Sequence, residues 1–287
     1  LSRIAYVNGR FVRHAEAGVS IEDRGFQFAD GVYEVWAVLA GKLADDDGHF
    51  ERLWRSLSEL RIDRPMTRAA LTTVLRETIR RNRITDGIVY LQITRGVARR
   101  DHAFPPAGTP TTVVVTAKRV DFEAEGAKAA KGVAAVTQPD IRWGRCDIKT
   151  VGLLPNALAK QAAREAGAYE AWLVDKDGYV TEGASTNAWI VDAQGRLRTR
   201  DTGANILRGI TRMTLIKLAE ELQIPVVEQP FTVAEAKAAS EAFITAASTF
   251  VMPIVSIDGE AVGSGRPGPV AERLRSLYLQ QAKNHAR

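Results

Sequence analysis

The chain has 287 residues, 45% hydrophobic and 25% charged, a balance that excludes a disordered or fibrous protein and a length that predicts two domains of roughly 140 residues each. Its single cysteine, Cys146, excludes an intramolecular disulfide framework or a cysteine-rich zinc site and fits a reducing cytoplasm, and its four histidines include no HxxxH pair, so no metal site is expected. The net charge of +5 is spread along the chain, and its densest basic run, 76–83, falls on a predicted helix, so it reads as a solvated face and no nucleic-acid partner is expected.

The pattern opens with a hairpin over residues 4–12, turning at Asn8-Gly9; the preceding Leu1-Ser2-Arg3 begins no secretory apolar segment. A strand over 32–39 follows, then a turn at Gly41. Asp47 is placed to cap a helix in which Phe50, Leu53, Trp54, Leu57 and Leu60 share a face. A second helix, 68–81, turns Leu71, Val74, Leu75 and Ile79 inward, and strands at 88–94 and 111–118 complete a first α+β unit. The polar stretch 121–131, with Gly126 and few large apolar groups, is expected as a linker.

Beyond it come tight hairpins, 170–174 returning through Asp175-Lys176-Asp177-Gly178 and 187–191 returning through 192–195. Helices are expected from Pro155 to Gly167 and over 209–222. Thr232 and Glu235 have capping-box spacing, and a last helix follows Pro269. The longest apolar run, 242–257, is broken by Ser248, Thr249 and Pro253 and is shorter than the roughly 20 residues a membrane helix needs, so no membrane partner is expected.

Lys149 stands between a strand-like segment and a helix start, about thirty residues before Glu182-Gly183 ends another strand. A lysine amine attacks a carbonyl only when neutral, a state that burial and nearby positive charge favour; Arg142 and Arg145 are the nearby cations. By position alone, most lysines are solvated surface groups.

Seven blocks lie in order along nearly the whole chain: DRGFQFADGVYEV (23–35), HFERL (49–53), TRGVARRDHAFP (94–105), IRWGRCDIKTVGLLPNALAKQ (141–161), VTEGASTN (180–187), ILRGITR (206–212) and AST (247–249). Together they resemble the fold-type IV pyridoxal-phosphate (PLP) enzymes, and within them the D-amino acid aminotransferases. The resemblance implies a mixed α/β, two-domain fold: a smaller N-terminal α+β domain (1–120), the linker (121–131), and a larger C-terminal pseudo-barrel domain (132–287) carrying the cofactor lysine.

It also implies that Lys149 holds PLP in Schiff-base linkage and serves as general acid and base. Glu182 would pair with the pyridine nitrogen. Ile210 and Thr211, at a predicted helix start with free N–H groups, would bind the phosphate, with Thr249 and neighbouring Ser248 as further donors. Arg52 matches a phosphate ligand, although helical geometry sets it opposite the Phe50/Leu53/Leu57 face and predicts exposure. Arg142 resembles a residue near the cofactor's phenolic oxygen.

Arg100 and His102, two residues apart, project to one side of an extended segment, and a guanidinium fork suits a carboxylate. By resemblance this pair and Tyr33 trap the substrate α-carboxylate. The neighbouring subunit contributes the pair, which implies a homodimer with active sites at the subunit interface. The implied activity is transfer of the amino group of D-alanine-like donors to a 2-oxo acid. Branched-chain and R-selective amine aminotransferases, an aminodeoxychorismate lyase of the same family, and a non-catalytic basic nucleic-acid-binding protein are the alternatives. Ala184, where the family commonly has a hydroxyl, and Trp36-Ala37 depart from the pattern; alternation sets Tyr33, Val35 and Ala37 on one strand face and Trp36 on the other.

Overall fold

The computed structural model describes residues 3–285. The chain divides into two compact units, one built mainly from Leu1–Asp121 with Ile148–Gly152, the other from Phe122–Asp147 with Leu153–Asn284.

In the first unit, β1 (Ile4–Val7) and β2 (Arg10–Arg13) form the expected hairpin; Asn8 and Gly9 take φ of 45° and 91°, the left-handed pair that a tight turn between right-twisted strands requires. A short helix, α1 (Arg24–Phe28), starts where Asp23 accepts from the Gly25 N–H at 2.8 Å. Then come β3 (Gly31–Leu39), β4 (Lys42–Leu43), α2 (Asp46–Glu59), α3 (Arg68–Asn82), β5 (Gly87–Thr94) and β6 (Thr112–Arg119). The strands make an antiparallel sheet in the order β2-β1-β6-β5-β3-β4.

The start of α2 differs from expectation. Asp45 holds the cap position without a side-chain cap bond, and Asp47 lies inside the first turn, paired with Arg68. Both acidic residues of that turn still suit the helix dipole. The buried face is His49, Phe50, Leu53, Ser56 and Leu57, with Trp54 and Leu60 only partly covered at its margin. In α3, Thr67 caps by accepting from Ala70 N, and Leu71, Leu75 and Ile79 are buried while Val74 is partly covered. The basic run is partly neutralised from within: Arg80 and Arg81 both donate to Glu77, at 2.6 and 2.7 Å, and hold its carboxyl down to about 2.

Both helices cover one face of the sheet, around Trp36, Phe50, Leu53 and Leu75. Fully burying a side chain of this size contributes roughly 1.5–3 kcal/mol. The segment Ile148–Gly152 belongs here because it continues the sheet beside β3: Tyr33 N donates to Lys149 O at 3.0 Å, Val151 N to Gly31 O at 3.1 Å, and Val32 bridges Thr150.

In the second unit the stretch 121–131 is a helix, α4 (Phe122–Lys131), rather than irregular chain. Its apolar contacts are few but well placed: Phe122 packs on Phe250 at 5.0 Å between centroids, and Ala129 is buried. There follow β7 (Val133–Pro139), α5 (Leu154–Glu165), β8 (Glu170–Val174), β9 (Val180–Gly183), β10 (Asn187–Val191), β11 (Leu197–Thr199), α6 (Ile210–Glu221), β12 (Val226–Glu228), α7 (Val233–Lys237), β13 (Glu241–Ala246), β14 (Phe250–Ile257), β15 (Glu260–Ala261) and α8 (Pro269–His285).

The sheet order is β12-β11-β10-β13-β14-β7-β8-β9, with β15 beside β14. It curls into a half-barrel: β9, last in the order, returns next to β10, where Gly183 N donates to Thr186 O at 2.7 Å. The apolar run 242–257 supplies the two central strands, β13 and β14, and no helix among the described residues is long and apolar enough to cross a membrane. Pro253, which cannot donate, sits just before Ile254, where β14 first pairs with β7. Thr232 and Glu235 form the expected capping box of α7.

Candidate active site

Lys149 is half-buried, its Nζ 4.2 Å from the centroid of the Tyr33 ring. Among the described residues no acidic side chain pairs with that amine, so it is held over an aromatic face and is not tied into an ion pair. Its backbone is fixed by the β3 hydrogen bonds, and Lys149 N reaches Ser56 Oγ at 3.4 Å. Tyr33 in turn stacks on Tyr90 at 5.7 Å. Burial, and then the neighbouring Tyr33, push the Tyr90 phenol up to about 12, so it stays a donor, to Gln92 Oε1 at 2.7 Å.

Alternation along β3 sends Tyr33 to one face and Val32, Glu34 and Trp36 to the other. Glu34, fully buried, meets Arg52 Nε and Nη2 at 2.7 and 2.8 Å and His49 Nδ1 at 2.8 Å. Burial alone would favour the neutral acid; the charges and hydrogen bonds of Arg52 and His49 outweigh it and hold Glu34 far below the usual carboxylate range. The helical-wheel expectation for Arg52 is thereby corrected: its side chain is only 9% exposed. A carboxylate from the sheet draws it inward, something no apolar periodicity reports.

In the second unit the buried Glu182 is the next-to-last residue of β9. Its carboxylate accepts from Asn187 Nδ2 at 2.9 Å, from Leu207 N at 3.1 and 3.2 Å, and from Arg142 Nη1. Arg142 is itself held by Asp140, through Nε at 2.9 Å and Nη2 at 2.7 Å, and by the Asn205 carbonyl at 3.0 Å. Burial disfavours both charges of this pair, but their mutual attraction prevails, raising Arg142 and lowering Asp140. Beside them, burial pushes the Cys146 thiol up to about 11, Arg142 opposing and Glu182 adding to the rise; the thiol stays protonated and donates to the Trp143 carbonyl at 3.1 Å.

The first turn of α6 carries Ile210 and Thr211, with Gly209 as an N-cap that offers no side-chain acceptor to the backbone N–H groups there. A Cβ on Gly209 would lie 2.0 Å from Asn187 Oδ1; only glycine lets α6 start this close to β10. Thr211 Oγ1 lies 3.5 Å from the Tyr278 hydroxyl. Thr249, with Ser248 in the turn between β13 and β14, has a buried Oγ1 that meets no partner. Ala184 is buried in an alanine-rich contact with α5, and its carbonyl accepts from Asn156 Nδ2 at 2.8 Å.

Arg100 and His102 lie on an exposed, irregular segment of the first unit rather than an extended one, yet their side chains meet on one ring: Arg100 Cζ is 5.1 Å and the His102 ring 5.5 Å from the centroid of Phe28. Tyr33, Arg52, Arg100, His102 and Lys149 thus belong to the first unit, and Arg142, Glu182, Ile210, Thr211, Ser248 and Thr249 to the second. Sequence reasoning missed Glu34, His49, Asp140 and Asn187. Of these only Glu34 left a signal, an acidic residue at an inward position between Val32 and Trp36.

Residues 31–257 match the family model of amino-transferase class IV, and the chain belongs to this family. Within it, the chain is 42% identical over 269 residues to the D-alanine aminotransferase of Bacillus licheniformis, covering 94% of this chain and 93% of that protein. It is also 42% identical to the D-alanine aminotransferase of Staphylococcus haemolyticus, over 95% of each. Among solved structures, the branched-chain amino acid aminotransferase of Escherichia coli superposes with a TM-score of 0.86 at 27% identity, covering 100% of this chain and 96% of that one.

Proposed function

We propose that this chain is a PLP-dependent D-amino acid aminotransferase that passes the amino group of D-alanine-like donors to a 2-oxo acid. The observation that carries the reading is Lys149, half-buried over Tyr33 with no acidic partner on its amine among the described residues. The relatives named D-alanine aminotransferase support the donor; at 42% identity they stand nearer than the branched-chain structure at 27%.

The donor set fits the cofactor. The unpartnered Thr249 Oγ1, with Ser248 next to it in sequence, and the N–H groups of the first turn at Ile210 and Thr211 suit a phosphate dianion, and Arg52, which already pairs with Glu34, would be a further phosphate ligand. Glu182, fixed by Asn187, Leu207 N and Arg142, would present a carboxylate to the pyridine nitrogen, and Arg142 a donor to the phenolic oxygen. When bound, PLP supplies a conjugated ring that accepts the electron pair released at the substrate Cα. Lys149 Nζ takes and returns the proton at that carbon. Tyr33, Arg100 and His102 bind and orient the substrate carboxylate, the latter pair serving the neighbouring subunit of a homodimer. A lone cysteine accords with a cytoplasmic enzyme.

The test is a half-reaction: purified holoenzyme is mixed with D-alanine or L-alanine without an acceptor and the visible cofactor band followed. D-alanine should bleach it and release pyruvate, and 2-oxoglutarate should restore it. A response to L-alanine alone, or to neither enantiomer, would overturn the reading.

A further inference from the structure

One buried guanidinium grips the backbone of the segment that carries Arg100 and His102. Arg24 Nη1 donates to the carbonyls of Asp101 at 2.6 Å and Ala103 at 3.2 Å, and Nη2 to that of His102 at 3.4 Å. Its Nε is anchored on Asp30 Oδ2 at 2.8 Å, and Arg24 is 3% exposed. Asp30 also binds Arg95 Nε and Nη2 at 2.7 and 2.9 Å, and the Arg95 guanidinium lies 3.7 Å over the Phe104 ring at the end of the same segment. Phe28, one turn along α1 from Arg24, is the ring on which the Arg100 and His102 side chains rest. A single helical turn thus fixes the carbonyls of three consecutive residues and the direction of two side chains, Arg100 and His102.

We infer that Arg24, with Phe28 and Asp30, is the positioning device that aims Arg100 and His102 at a substrate carboxylate; the inference rests on the role proposed above for that pair. The segment lies outside any helix or strand; within it Ala103 N donates to Asp101 Oδ1 at 3.1 Å, and Arg24 ties the carbonyls of 101–103 to α1. A planar fork serves three carbonyls and one carboxylate at once, which an ammonium cannot do. Misplacing an orienting group by about 1 Å can cost on the order of 100-fold.

The test uses the holoenzyme and the variants Arg24→Met, Arg100→Ala and their combination. Arg24→Met should raise KM for D-alanine by about 10- to 100-fold, with kcat little changed and the cofactor band intact. Amide exchange in 100–104 should quicken while that in β3 does not. Arg100→Ala should raise KM alike, and the double variant should be no worse than the worse single. Wild-type KM or exchange in Arg24→Met, beside a damaged Arg100→Ala, would overturn the inference alone, as would additive losses; a wild-type KM in Arg100→Ala would overturn the carboxylate role itself. If Arg24→Met does not fold, Phe28→Leu should raise KM in the same direction, and an unchanged KM there refutes the device.

Discussion

Replacing Glu34 by glutamine keeps the side-chain shape and removes the charge at the centre of a buried triad. The carboxylate is fully buried and meets the Arg52 guanidinium at 2.7 and 2.8 Å and the His49 ring at 2.8 Å, both almost wholly covered. Breaking a buried pair by removing one partner costs about 3–5 kcal/mol, because the other charge is left without compensation. In a unit of this size that corresponds to a fall in Tm of roughly 6–20 °C. The effect should depend on pH with a defined sign. Glu34 titrates below its ordinary 4.5 when folded, so its contribution is present above about pH 4.5 and is lost as the pH falls towards the folded value. Thermal melts of wild type and Glu34→Gln at neutral pH and in steps below pH 4.5 check this: the gap should be full at neutrality and shrink in acid. A gap under about 2 °C at neutral pH, or one that persists unchanged in acid, would refute an ion-paired Glu34.

Lys149→Ala should abolish transamination and the visible band of lysine-bound cofactor while leaving the far-ultraviolet circular dichroism unchanged; a retained band would remove Lys149 from its role. Thr249→Val exchanges an unpartnered buried hydroxyl for a methyl, so the apoprotein should lose no stability, whereas PLP affinity, measured by fluorescence titration, should drop about 10-fold or more if that hydroxyl serves the phosphate. Gly209→Ala should destabilise by about 1–3 kcal/mol, since its Cβ would lie 2.0 Å from Asn187 Oδ1. On an Asn187→Ala background Gly209→Ala should cost less Tm than it does alone, because the clashing Oδ1 is gone, while activity stays low because Glu182 has lost one of its side-chain donors.

What the sequence by itself determined is what neighbouring residues decide. The Asn8-Gly9 hairpin, the apolar faces of α2 and α3, the Thr232/Glu235 box and the glycine at the start of α6 follow from turn chemistry, helical spacing and open N–H groups, all within a few residues. The order of the family blocks carried the aminotransferase assignment and the list of candidate residues in the same way. Tertiary structure alone decided which charges meet. Arg52 is turned inward by a carboxylate on β3, Arg142 is matched to Glu182 and Asp140, and the Lys149 segment is drawn to β3 in the first unit. Within the stretch expected as a linker, 122–131 is a helix whose Phe122 meets Phe250, a partner far along the chain. Apart from Asp140–Arg142, two residues apart, these pairings join positions 18 or more residues apart, and periodicity, a property of adjacent residues, holds no record of them.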